Sequence, residues 1–195
     1  ARHKTLGNEW IVKFVGQAEL ISEAEVLKHL NHISLPQIID IFQTEQGAFL
    51  VERYIEGYSL ADILELNQEI RESQICDWGL QLAQVLHYRH NLERPIIHCD
   101  LKPSNIMVTY DNRLVLIDFG ISKQQGVSDG GTGITYRYAA PEQFRGKAER
   151  PEIIQKYFGT LPPEHSCWPI DCRTDLYSVG AILKEMASGL KGTAQ

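Results

Sequence analysis

Two polar clusters, each beside a short apolar run, hold the residue types that phosphoryl transfer needs. The first is His98-Cys99-Asp100-Leu101-Lys102-Pro103-Ser104-Asn105, directly after Ile96-Ile97, and the second is Asp118-Phe119-Gly120, which begins thirteen residues after Asn105. Moving a phosphoryl group from ATP to a hydroxyl requires oxygen ligands for Mg2+, a carboxylate that orients the hydroxyl and accepts its proton, and a cation over the moving group. Asn105 and Asp118 are the candidate metal ligands, Asp100 the candidate acceptor and Lys102 the cation. Any one of these side chains alone is an ordinary turn or capping residue. Their placement at strand ends is what points to chemistry.

The strands themselves are legible. Ile106 to Val108 and Leu114 to Ile117 flank Tyr110-Asp111-Asn112-Arg113, which predicts a hairpin whose arms each adjoin a polar cluster. Upstream, Trp10 to Val15 is an apolar run interrupted by Lys13 and bounded by Gly7 and Gly16, a strand pattern. Ser22 with Glu25 forms a capping box, after which Leu27 and Leu30 fall on one helical face that Glu23 shares. Ile38 to Phe42 and Ala48 to Tyr54, joined by Thr44-Glu45-Gln46-Gly47, predict an antiparallel hairpin. Beyond Glu56-Gly57 the pattern turns helical. Ser59 caps a short helix, Ile75, Trp78, Gly79, Leu82 and Leu86 stripe a longer one ending near Asn91, and Leu176, Val179, Leu183 and Met186 stripe a last helix.

The totals narrow the function classes. With 195 residues, 43% of them hydrophobic, the chain can bury a sizeable core as one domain or two small lobes. A net charge of -6 argues against a broad grip on nucleic acid or anionic lipid. Four scattered cysteines do not form the framework of a disulfide-rich secreted domain, which predicts a reducing, cytoplasmic setting. No apolar run approaches the roughly 20 residues of a membrane span. His165, Cys167 and Cys172 lack the paired spacing of a zinc site.

The two clusters resemble the catalytic loop (H-R-D-L-x-x-x-N) and metal-binding motif (D-F-G) of the eukaryotic-type protein kinase family. Ala140-Pro141-Glu142 is similar to the A-P-E that closes that family's activation segment, Ile11-Val12-Lys13 to its V-A-I-K strand, and Asp175 to Gly180 to the D-x-W-S-x-G opening its helix αF. The resemblance covers residues 9 to 189. It implies that Lys13 holds the nucleotide phosphates and pairs with Glu23, that Arg53 and Ile55 in the hinge meet the adenine edge, and that Met107 lies at the nucleotide. It further implies that Asp175 anchors the catalytic-loop backbone, that Thr135 bridges Asp100 and Lys102, and that His98 is a packing residue beneath Phe119. Lys102 and Thr135 match the serine/threonine branch, so a protein hydroxyl is the expected acceptor.

The departures are specific. Cys99 replaces the arginine that reads a phosphorylated activation loop, and a thiol cannot form that ion pair. Activity is therefore expected to be independent of such phosphorylation, with Cys99 acting as a small buried filler. Gly7 is the sole glycine upstream of Lys13, so the chain shows no glycine-rich phosphate lid, and it stops before the helices whose arginine pairs with the glutamate corresponding to Glu142. A trimmed or minimal domain is expected. Ile11 stands in place of a small alanine, and Glu52 falls at the gatekeeper position, where an apolar side chain is usual. A buried carboxylate must find a partner or take a proton. Lys13 is the candidate, in competition with Glu23, an arrangement expected to favour inactivity.

The expected architecture is an α+β, two-lobed kinase-like fold: an incomplete β-rich lobe over residues 1–54, a hinge at 55–57, and a mainly helical lobe over 58–195 ending near helix αF. The expected activity is Mg2+- and ATP-dependent phosphorylation of protein serine or threonine. The alternative is a catalytically weak, ATP- or protein-binding module of the same fold.

Overall fold

The computed structural model describes residues 9–16, 28–66, 69–118, 137–144, 155–156, 158–159 and 168–188. Three antiparallel strands, β1 (Trp10–Gly16), β2 (Ile38–Thr44) and β3 (Gly47–Arg53), form a sheet in the order β1-β3-β2. In β3 the period-2 alternation buries Ala48, Leu50 and Glu52 on one face. The other face carries an aromatic cluster, in which Phe49 stacks on Phe42 and meets Phe14 edge-on, both at 5.4 Å between ring centroids.

A second sheet, β4-β5-β6, is built from Gly57–Ser59, Ile106–Thr109 and Leu114–Leu116. The β5–β6 hairpin follows the sequence expectation, with Asn112 in the left-handed region at its turn (φ +66°). Trp78 donates its indole N–H to the Asn112 side chain at 3.2 Å. Strand β4 was not expected. Three residues are too few to show a period, yet Gly57 is fixed in place by its pairing with Thr109. Its φ is +152°, and a Cβ there would lie 2.1 Å from the Val108 carbonyl oxygen, so only glycine fits.

Three helices are described. α1 (Leu60–Glu65) starts on the Ser59 capping box, in which Ser59 Oγ accepts the Asp62 N–H and the Asp62 carboxylate accepts the Ser59 N–H. α2 (Glu72–His90) buries Ile75, Trp78, Leu82, Val85 and Leu86 against α3 (Cys172–Ser188), β5 and β6 in one core. Full burial of such a side chain contributes about 1.5–3 kcal/mol. Where the helices approach, a Cβ on Gly79 would lie 3.1 Å from Leu183 Cδ2.

α3 corrects the stripe expected from sequence. Its buried residues are Thr174, Asp175, Ser178, Val179, Ile182 and Met186, whereas Leu176 is 53% exposed. Apolar spacing misplaces the stripe because three of its buried residues, Thr174, Asp175 and Ser178, are polar. Among the described residues no helix is long and apolar enough to cross a membrane. The small sheet followed by a mainly helical part is the α+β architecture expected.

Candidate active site

The polar clusters meet where the loop after α2 faces the end of β6. A 3-10 turn, Pro103–Asn105, leads into β5, and Asn105 lies at its end, with its N–H donating to the Lys102 carbonyl at 2.9 Å. The Asn105 side-chain Nδ2 donates to the Asp100 carbonyl at 2.9 Å, which leaves Oδ1 as the side chain's acceptor atom. The Ile117 N–H donates to the Asn105 carbonyl at 2.9 Å, so Asp118 is held beside the loop by its chain neighbour. Asp118 adopts φ +60°, a left-handed conformation uncommon outside glycine. Lys102 Nζ reaches Asp100 Oδ2 at 3.0 Å.

The loop is anchored from α3. The wholly buried Asp175 carboxylate accepts the His98 N–H at 2.9 Å, the Cys99 N–H at 3.0 Å and His90 Nε2 at 2.8 Å. Since an ionised carboxylate only accepts, His90 Nε2 carries the proton of that bond. Burial alone would raise the Asp175 carboxyl; the bonds from His90, His98 and Cys99 outweigh it and hold the group below its ordinary value. Cys99, buried and at φ +61°, is gripped at its other end by Gln143, whose Nε2 donates to the Cys99 carbonyl at 2.6 Å while its Oε1 accepts the Ala140 N–H at 2.8 Å.

His98 is a packing residue. Burial and the nearby Arg89 guanidinium push its imidazole down to about 4, and its Nε2 lies 3.4 Å from the Ile117 carbonyl. Phe119, expected above it, lies outside the described residues.

From the small sheet, Lys13 Nζ lies 3.0 Å from Glu52 Oε2 and 3.8 Å from Asp118 Oδ1. The carboxylate at the gatekeeper position thus has the partner that its burial demanded. Arg53 closes β3, exposed, with its N–H on the Gln37 carbonyl at 2.9 Å. Ile55, half-buried, stands between the sheets, and Met107, partly buried in β5, is opposite Ser59 and Val115. Glu23 and Thr135 lie outside the described residues, as do His165 and Cys167. Glu142 is buried and accepts the Thr174 hydroxyl at 2.6 Å, so a threonine on α3 is its partner here.

Gln143, His90 and Glu185 escaped the sequence reading. Glu185 accepts the Tyr138 hydroxyl and pairs with Arg137 at 2.7 Å, tying the segment before Ala140 to α3. Burial, then the Glu185 carboxylate, pushes the Tyr138 phenol well above its ordinary range. Single polar residues whose partners lie tens of positions away leave no local pattern.

Among the described residues no group of three His, Cys, Asp or Glu forms a self-contained metal site. The donors present, the Asn105 amide oxygen and the Asp118 carboxylate, are hard oxygens of the kind that suit Mg2+ when phosphate supplies further ligands.

Comparison with known proteins identifies the family. The family described as the protein kinase domain matches residues 4–193. A probable serine/threonine-protein kinase of Clostridium acetobutylicum is 31% identical over 171 residues, covering 86% of this chain and 22% of that protein. The serine/threonine-protein kinase PknB of Mycobacterium leprae is 29% identical over 176 residues, and that of Mycobacterium tuberculosis 27% over 179; each alignment covers 86% of this chain and 25% of the relative. The chain spans 22–25% of the length of these relatives. It belongs to the protein kinase domain family.

Proposed function

We propose that the chain is the catalytic region of a serine/threonine protein kinase, acting with ATP and Mg2+ on a protein hydroxyl in the cytoplasm. The observation that carries this reading is the linkage of Asp100, Lys102, Asn105 and Asp118 through the Asn105 side chain and the Ile117 N–H into one bonded unit that Lys13 approaches at 3.8 Å. Asp100 orients the acceptor hydroxyl and takes its proton. Lys102, beside it, meets the charge that develops on the transferring group, and Asn105 Oδ1 with the Asp118 carboxylate holds the cation. Bound Mg2+ would neutralise phosphate charge and fix the leaving oxygens.

At the adenine end, Arg53 has its N–H bonded to Gln37, so its carbonyl is the acceptor and the Ile55 N–H the donor. Met107 on β5 and Lys13 complete the nucleotide contacts, with Glu23 and Thr135 in the roles that the family resemblance implies. Residues 1–54, 55–57 and 58–195 are the small lobe, hinge and large lobe. Catalysis is chiefly placement and charge.

A weakly catalytic binding module is the second reading, favoured by Ile11 standing opposite Glu52 across β1 and β3 at the expected base site. One experiment separates them. Thermal stabilisation by ATP with Mg2+ is measured beside incorporation of labelled phosphate by wild type and Asp118→Asn. Turnover abolished by the substitution supports the kinase; stabilisation without wild-type turnover supports the module; turnover insensitive to the substitution refutes the assignment of Asp118.

A further inference from the structure

We infer that Glu52, from the central strand of the small sheet, is the residue that positions Lys13 for the phosphates of a nucleotide. The inference rests on the nucleotide-site reading above and adds a residue to it. β3 is paired on both sides, so Glu52 faces Ile11 in β1 and Ile38 in β2, and ladders on two sides fix its backbone. Lys13 lies two residues beyond Ile11 and therefore points to the same face. A diagonal separation of about 7–8 Å is one that long side chains span. The ammonium-to-carboxylate distance of 3.0 Å shows that they do.

The burial of the pair is uneven, and the asymmetry sets the direction of action. The Glu52 side chain is 4% exposed and that of Lys13 28%, so the glutamate is enclosed while the lysine opens toward the Asp118 side. An ammonium has three N–H donors. One meets Glu52, and Asp118 at 3.8 Å marks where the remaining positive charge faces. Glu52 thus compensates the part of the lysine that is desolvated and aims the rest at the cation-binding end of the site. On this inference the contact serves nucleotide binding, where the sequence expectation had it favour inactivity. A partner held on a doubly paired strand cannot be withdrawn by movement of a helix, so Lys13 stays poised in the resting chain.

The test is calorimetric titration of the full chain with Mg-ADP and with adenosine, which lacks phosphates. Glu52→Gln, equal in shape, is expected to weaken Mg-ADP about tenfold while adenosine changes by less than about twofold, as for one lost charge-assisted contact. Lys13→Met should weaken Mg-ADP similarly, and the double variant no further, because Glu52 acts through Lys13. Glu52→Met, which fills a similar volume without a polar group, should give the same selective loss and serves if the glutamine variant does not fold. Additive losses, unchanged or tighter Mg-ADP binding in the Glu52 variants, or equal weakening of adenosine would overturn the inference. No Mg-ADP binding by folded wild type would instead overturn the nucleotide-site reading and the inference with it.

Discussion

Replacing Asp175 by alanine tests whether the candidate catalytic loop is fastened from α3. The substitution strips an acceptor from two buried amides, those of His98 and Cys99, and from His90. Each buried donor left without a partner costs about 1–3 kcal/mol, so a loss of about 4 kcal/mol is expected before relaxation. Arg89 adds to it. Burial draws that guanidinium down to about 10, and the Asp175 carboxylate opposes the shift. For a domain of this size about 4 kcal/mol lowers the melting temperature by roughly 8–16 °C. Asp175→Asn, which keeps one oxygen, should lose about half as much. Urea unfolding followed by circular dichroism measures both, with Asp171→Asn as a control at the exposed Arg173 pair, where less than about 1 kcal/mol is expected. An Asp175→Ala protein within about 1 kcal/mol of wild type would refute the anchoring argument.

His98 makes stability depend on pH. Its folded pKa of about 4 lies below the ordinary value of 6.5, so the unfolded chain binds the extra proton between them and stability falls as pH drops through that window. Urea unfolding should show about 2 kcal/mol lost from pH 6.5 to 5, and His98→Phe should flatten that slope. Asp175 acts lower: its contribution is intact above its unfolded value near pH 4 and is lost as pH falls through its depressed folded value. Gly57→Ala meets the Val108 carbonyl and should destabilise by at least about 2 kcal/mol or abolish soluble expression, read by the same unfolding curves. With Cys99 in place of an arginine, phosphatase treatment should change phosphate incorporation by less than about twofold; a large loss would show that another cation reads a phosphorylated loop.

Strands and helices with clear periods were readable in the sequence: β1, the β2–β3 and β5–β6 hairpins, the Ser59 cap and the α2 stripe. β4 was not, because three residues hold no period and its pairing partner lies some fifty positions on. Leu176 shows how a polar residue can defeat the apolar rule: α3 turns Asp175 inward because buried amides need its carboxylate, and the leucine faces solvent. Asp100, Lys102, Asn105 and Asp118 were visible because their types and spacing fit one reaction. The Glu52–Lys13 pair was visible because burial demands a counter-charge. Gln143 and Glu185 had no such signal, as a polar residue in a loop or on a helix does not name a partner more than forty positions away.

The fastening of the 98–100 loop also bears on the order of events during synthesis. The carboxylate that receives the His98 amide is encoded seventy-seven positions after it. A nascent chain that has exposed both polar clusters, but still holds α3 inside the ribosome, has the ingredients of the site without their arrangement. Long-range closures of this kind come late in folding. The arrangement of the 98–100 loop is therefore acquired only once α3 has emerged and packed, however early the loop itself was made.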